Sequence, residues 1–199
     1  TNMNTSNPYD GDRRAGTVGF PLPGVELIVT DPATGSLLSQ GETGGLEVRG
    51  PNVFAGYWKM AEKTAEELRD TGFFITGDLG RIDADGYVHI VGRQKDLIIS
   101  GGYNIYPKEI ELLIDELPRV IESAVIGVPH PDFGEAVVAV IVAQNGAEIS
   151  AQEILSGIKD NLAGFKQPKR IKFVKALPRN AMGKVQKKAL REVYAAEFN

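Results

Sequence analysis

Cysteine is absent from the 199 residues. That removes disulfides, thiolate metal sites and a thiol nucleophile at once, so any covalent chemistry must use another group. Histidine is almost absent as well: His89 and His130 are the only two, too few to make zinc an expected ligand. No run of eighteen apolar residues exists to span a bilayer, and the opening TNMNTSNPYDGDRR has no apolar stretch that could serve as a secretory signal. A cytoplasmic location is therefore the expectation. Acids are scarce in one region only. Between Lys159 and Arg191 eleven Lys and Arg stand against a single acid, Asp160, a local +10 in a chain of net charge −4, so the remainder carries −14. So basic a tail forms solvated faces or meets a polyanion, nucleic acid or a nucleotide cofactor, and composition does not choose among these.

What is present is ordinary for a packed protein, with 42% hydrophobic residues. Residues up to Gly24 are rich in Asn, Gly, Pro and charge without periodicity and read as loop. So long a structureless start implies that residues before Thr1 belong to the same folded unit. Val25–Thr30 and Gly45–Arg49 read as strands around the turn Asp31–Ser36, and Ala61–Leu68 as a short helix. Arg81–Asp83 and Tyr87–Val91 flank Ala84-Asp85-Gly86 as a hairpin. From Lys95 onward helices and strands alternate, which places a domain boundary at Gly92–Asp96 and divides the chain into 1–94 and 95–199. In the second part Pro107 suits a first helical position, with Ile110, Leu113, Ile114 and Leu117 on one buried face and Pro118 as the stop. Ala124–Val128 and Ala136–Ala143 are apolar runs, the second nearly continuous, as in a strand covered on both faces. Ser150 to Glu153 has capping-box spacing ahead of Ile154, Leu155, Ile158 and Leu162. Arg170–Val174 reads as a strand, and Lys187–Phe198 as a last helix carrying Leu190, Val193, Tyr194 and Phe198. The expected class is α+β, a β-rich first part followed by a compact α+β domain.

Four glycine-bearing loops carry the candidate chemistry. In Thr76-Gly77-Asp78-Leu79-Gly80 the carboxylate could accept from a ribose diol or cap a turn, and the local sequence leaves both open. Arg93, in Gly92-Arg93-Gln94-Lys95-Asp96, could bind ribose or phosphate with its planar fork, but an ion pair with Asp96 is the stronger local reading. Gly101-Gly102 would let a ligand approach the backbone, against the stronger local reading of a tight turn feeding the Pro107 helix. Lys184 directly follows glycine at the end of a polar loop, Pro178 to Lys184. It could stabilise charge on a phosphate, although most single lysines are merely exposed.

The order of these motifs changes their weight. TGDLG, then GRQKDLIISGGYNIYPKEIE, then PRNAMGK, at these separations, resembles the C-terminal core motifs of the adenylate-forming superfamily of acyl-CoA synthetases, luciferases and peptide-synthetase adenylation domains. GETGGLEVRGPNVFAGYW and KTAEEL also resemble the segment those proteins carry ahead of the TGD motif, so the resemblance covers essentially the whole chain. It implies the end of a large N-terminal adenylating domain in 1–94 and a mobile C-terminal domain in 95–199, joined by a hinge at Lys95. It also implies the site. Asp78 would bind the ATP ribose, Arg93 would assist there and Ile90 would lie near the nucleotide. Gly101 and Gly102 would line the pantetheine tunnel of CoA, and Lys184 would bridge the acid carboxylate and the α-phosphate during adenylation.

The implied substrates are a small carboxylic acid, ATP with Mg2+, and CoA, whose phosphates would account for the basic tail without nucleic acid. No metal ligand is expected from these residues. The opening TNMNTSNPYDGDRRAGTVGFPLPGVE and PRNAMGKVQKKALRE most resemble malonyl-CoA synthetases, which makes malonate the expected acid. A short- or medium-chain acyl-CoA synthetase is the alternative within enzymes, and a nucleotide- or carrier-protein-binding module the alternative outside them. The family's Gly-rich phosphate loop and Tyr-Gly-x-Thr-Glu motif are not present, so a fragment is expected, inactive without the rest of the N-terminal domain. The exposed Gly-Lys position of Lys184 also implies a target for a protein acetyltransferase and deacetylase, since acetylation would remove the charge.

Overall fold

The computed structural model describes residues 1–146 and 149–198. The chain forms two compact units, Thr1–Lys95 and Asp96–Asn199, and its class is α+β. The first unit contains β1 (Thr5–Ser6), β2 (Phe20–Pro21), β3 (Glu26–Thr30), β4 (Gly44–Arg49), α1 (Ala61–Glu67), β5 (Phe74–Ile82) and β6 (Val88–Arg93). A 3-10 turn, Gln94–Asp96, follows. The second unit contains β7 (Ile98–Ser100), β8 (Tyr103–Ile105), α2 (Pro107–Asp115), β9 (Val120–His130), β10 (Gly134–Ala143), α3 (Ala151–Ile158), β11 (Arg170–Phe173) and α4 (Lys187–Val193).

In the first unit β3, β4, β5 and β6 form an antiparallel sheet in chain order. Val29, Leu46 and Val88 pack together as its core. A buried carboxylate also holds the sheet: Glu47 receives both Nε (2.6 Å) and Nη2 (2.7 Å) of Arg69 and the Thr30 hydroxyl (2.7 Å). A charge taken out of water needs such a full set of donors. The opening segment is more ordered than its composition implies. Beyond the β1–β2 pair, Val18 and Gly19 exchange backbone hydrogen bonds with Val88, and the Tyr87 hydroxyl donates to the Asp12 carbonyl at 2.6 Å. These partners lie some seventy residues away, beyond the reach of a local pattern.

In the second unit the sheet runs β11-β10-β7-β8, with β9 on β10. β10 alternates between two cores. Val137, Ala139 and Ile141 face the cluster of Ile110, Ile114, Ile154 and Ile158, whereas Val138, Val140 and Val142 face Leu177 and Leu190. That is why its apolar run is nearly continuous. Pro107 occupies the start of α2, and Ser150 and Glu153 complete both halves of the capping box on α3. α4 departs from expectation. It ends at Val193, which is 71% exposed, although Leu190 is buried and Tyr194 and Phe198 still pack on the second core. Leu190, Tyr194 and Phe198 keep helical spacing without Val193, so the apolar set alone does not show where the helix stops.

Candidate functional site

The residues expected to bind a nucleotide lie on β5 and β6. TGDLG is not a loop but part of β5, within its nine residues from Phe74 to Ile82. Its glycines misled because glycine normally weakens a strand. Here Gly77 takes φ +73°, a left-handed conformation costly for other residues, and the β5–β6 register shifts between Leu79 and Gly80. The irregularity surrounds Asp78. The Thr76 hydroxyl donates to the Leu46 carbonyl (2.8 Å) and accepts from the Asp78 amide (3.1 Å). Thr76 thus ties the irregular backbone to the neighbouring strand.

Asp78 and Arg93 are opposite one another in the ladder, and Arg93 Nε lies 2.9 Å from Asp78 Oδ1. Arg93 therefore pairs with Asp78, not with Asp96 as the local sequence favoured; Asp96 pairs with Arg191. Strand register brings together charges fifteen positions apart and separates those three apart. Burial pushes the Asp78 carboxyl above its ordinary value, and the Arg93 charge pulls it partly back. Arg93 also donates to the Thr76 carbonyl at 3.3 Å. Beside the pair is a cleft of about 470 Å³ lined by Thr76, Gly77, Arg93, Gln94 and Lys95. Arg93 lines the cleft and Asp78 does not, but a guanidinium paired with a half-buried carboxylate suits a ligand that offers an anion to one and hydroxyls to the other. Lys95 is on the cleft wall, in the 3-10 turn. Ile90 is on β6 opposite Gly80, 46% exposed and outside the residues lining the cleft.

In the second unit Gly101 and Gly102 form the two-residue turn between β7 and β8, with Ser100 opposite Tyr103. Their φ values, +58° and +82°, are what a tight hairpin demands and glycine supplies at no steric cost. A Cβ on Gly102 would point into open space. Around the turn are exposed aromatic rings: Tyr103 stacks on Phe165 with centroids 4.6 Å apart, and Gly101 donates to the Phe133 carbonyl at 2.9 Å.

Lys184 is exposed at the end of a braced loop. The Asn180 side chain accepts from the amides of Met182 (3.0 Å) and Lys184 (2.9 Å), and Asn180 donates its own amide to the Lys184 carbonyl at 3.0 Å. Arg179 donates to the Gly183 carbonyl at 2.6 Å and also pairs with Glu122. The ammonium itself has no ion pair among the described residues. Such a lysine is presented on a fixed backbone with its charge available. Thr76 and Asn180 are the two organising residues that reading the sequence for charge did not single out. The Asn-x-x-Gly spacing of a side-chain-braced turn was the available signal for the second.

Comparison with known proteins agrees with these motifs. The AMP-binding enzyme family matches residues 1–58, and the AMP-binding enzyme C-terminal domain family matches residues 109–184. ATP-bound MatB from Rhodopseudomonas palustris superimposes with a TM-score of 0.95 at 62% identity, covering 100% of this chain and 40% of that one. This chain belongs to the adenylate-forming acyl-CoA synthetases. Within the family, it is 42% identical over 189 residues to the putative acyl-CoA ligase YdaB of Bacillus subtilis, a match covering 95% of this chain and 37% of that protein. With the malonate–CoA ligase of Arabidopsis thaliana it shares 41% over 201 residues, 96% of this chain and 32% of that protein. The chain thus spans about a third of the length of these curated synthetases.

Proposed function

We propose that the protein is an AMP-forming acid–thiol ligase that activates a small carboxylic acid, malonate, with ATP and transfers the acyl group to CoA. The observation that carries this reading is the Asp78–Arg93 pair beside the cleft at the end of β6. Asp78 accepts hydrogen bonds from the ribose hydroxyls and Arg93 supports the same sugar; Ile90, on the same strand but outside the cleft lining, is given no contact with it. The acid's carboxylate oxygen then attacks the α-phosphorus, the bond to pyrophosphate breaks, and an acyl-adenylate forms. Lys184 stabilises the negative charge that develops between the carboxylate and the α-phosphate. Rotation of 95–199 about Lys95 relative to the adenylating domain follows, and the CoA thiol passes Gly101 and Gly102 to attack the acyl carbon, displacing AMP.

Among the described residues no group of three or more His, Cys, Asp or Glu could hold a metal ion. Magnesium in this reading travels with the triphosphate and balances its charge. Among the same residues no helix is long and apolar enough to cross a membrane; a cytoplasmic location belongs to the proposal. So does acetylation of Lys184, which would neutralise the adenylating charge.

Malonate is favoured by the likeness of residues 1–26 and 178–192 to malonyl-CoA synthetases and by the Arabidopsis relative. The test is acid-dependent pyrophosphate release and CoA-thioester formation by the full-length protein with malonate, methylmalonate, acetate and octanoate. Turnover with malonate above the other acids supports the whole reading. Turnover only with another acid keeps the chemistry and overturns malonate, and no acid-dependent pyrophosphate at all leaves a non-catalytic binding module.

A further inference from the structure

Lys95 lies between two stretches of backbone that are each tied down within their own unit. On its N-terminal side the β5–β6 ladder runs as far as Asp78 and Arg93, whose side chains are also joined at 2.9 Å. On its C-terminal side the β7–β8 ladder starts at Ile98, opposite Ile105. Strand pairing alone leaves the four residues from Gln94 to Leu97 unpaired. A side-chain contact shortens that gap. Asp96 Oδ1 accepts from both Nη1 (3.2 Å) and Nη2 (3.0 Å) of Arg191, and the pair is mostly shielded from water, the side chains being 15% and 28% exposed.

Arg191 is itself held firmly. It follows the buried Leu190 on α4. One helical turn earlier, Lys187 Nζ meets the buried carboxylate of Glu111 at 2.5 Å. Glu111 also accepts the Val125 amide at 2.9 Å. Positions four apart share a helix face, so Lys187 and Arg191 act as two adjacent clamps, one into α2 and β9 and the other onto Asp96.

We propose that Arg191 is a positioning residue for the hinge: by holding Asp96 to the second unit, as Asp78 and Arg93 hold each other in the first, it confines the pivot to Gln94 and Lys95. With two residues outside strand pairing and side-chain anchoring the pivot has about four soft backbone torsions, and with four it has about eight. A short pivot limits the orientations open to the domain that carries Lys184 and the Gly101-Gly102 turn, and so favours a few defined arrangements over a diffuse set. The inference rests on the reading of Lys95 as a hinge in a two-step synthetase, and its first measurement needs no activity.

In the full-length protein, hydrogen–deuterium exchange over residues 93–98 is compared for wild type, Arg191→Gln, Arg191→Lys and the double reversal Asp96→Arg with Arg191→Asp. Removing a charged, two-pronged hydrogen bond should raise amide exchange at Asp96 and Leu97 about tenfold in Arg191→Gln. Amides of the β10 core should keep their protection, Arg191→Lys should fall between, and the reversal should restore protection. In the half-reactions, Arg191→Gln should slow the complete acid-to-thioester cycle more than it slows formation of the first acyl-adenylate. Unchanged exchange at Asp96 and Leu97 would overturn the proposal. So would an equal rise throughout 96–198 that the reversal does not repair, since that marks a merely structural arginine. If the wild type forms no acyl-adenylate, the catalytic reading fails while exchange still decides the pivot.

Discussion

Lys184→Ala separates fold from chemistry with the least ambiguity. The side chain is exposed and the ammonium has no ion pair among the described residues, so its removal breaks no ion pair there. The loop is braced by backbone groups and by the side chains of Asn180 and Arg179, all of which survive the change. Thermal or denaturant unfolding should therefore shift by no more than about 0.5 kcal/mol. Catalysis should not be spared. Removing one fixed donor aimed at charge developing in a transition state costs about 2.7–4 kcal/mol, or roughly a hundred- to a thousandfold in rate. The assay is pyrophosphate release in the full-length protein under single-turnover conditions, alongside thioester formation from preformed acyl-adenylate and CoA. The first should collapse and the second should stay near the wild-type rate, because in the proposed mechanism Lys184 acts only in the first step. Asn180→Ala should give a smaller loss of the same kind, since it frees the amides of Met182 and Lys184 but keeps the charge. If Lys184→Ala releases pyrophosphate within about threefold of wild type, a difference under 1 kcal/mol, the role assigned to Lys184 is wrong.

Asp78→Asn should weaken nucleotide binding by about tenfold or more, read by calorimetry, while leaving the unfolding midpoint unchanged or higher. Burial raises the Asp78 carboxyl in the folded state, so its contribution to stability is largest when protonated and is lost as pH rises through the raised value; Asp78→Asn should flatten that stretch of the stability–pH profile. Gly102→Ala faces open space but must adopt φ +82°, so it should cost about 1–2 kcal/mol in urea unfolding and slow thioester formation more than adenylation. Ser150→Ala should cost about 1 kcal/mol by loss of the α3 cap. The cap's other half titrates: hydrogen bonds from Ser150 and the Arg119 guanidinium hold the Glu153 carboxyl down at about 2, so its contribution is complete above the ordinary 4.5 and disappears as pH falls through about 2, which circular dichroism of the helix during acid titration can follow.

The sequence by itself determined the periodic elements and the chemistry-bearing residue types. The continuous apolar run of β10, the proline at the start of α2 and the Ser150–Glu153 box are local patterns with local causes, and each is present in the fold. The family was legible for a related reason, because its motifs are short runs whose order survives in the linear chain. Only the tertiary structure decided which groups face one another. TGDLG looks like a loop when its glycines are counted, yet it is strand, because hydrogen bonding to β4 and β6 outweighs the intrinsic cost of Gly77 and Gly80. The opening segment, aperiodic on its own, is ordered by partners at Tyr87 and Val88. Arg93 stands three residues from Asp96 and fifteen from Asp78, and it pairs with the distant one because an antiparallel ladder brings remote residues into register while the turn after β6 carries Asp96 to Arg191. Charge can be counted along a sequence, but pairing depends on distances of a few ångströms that only the folded backbone sets.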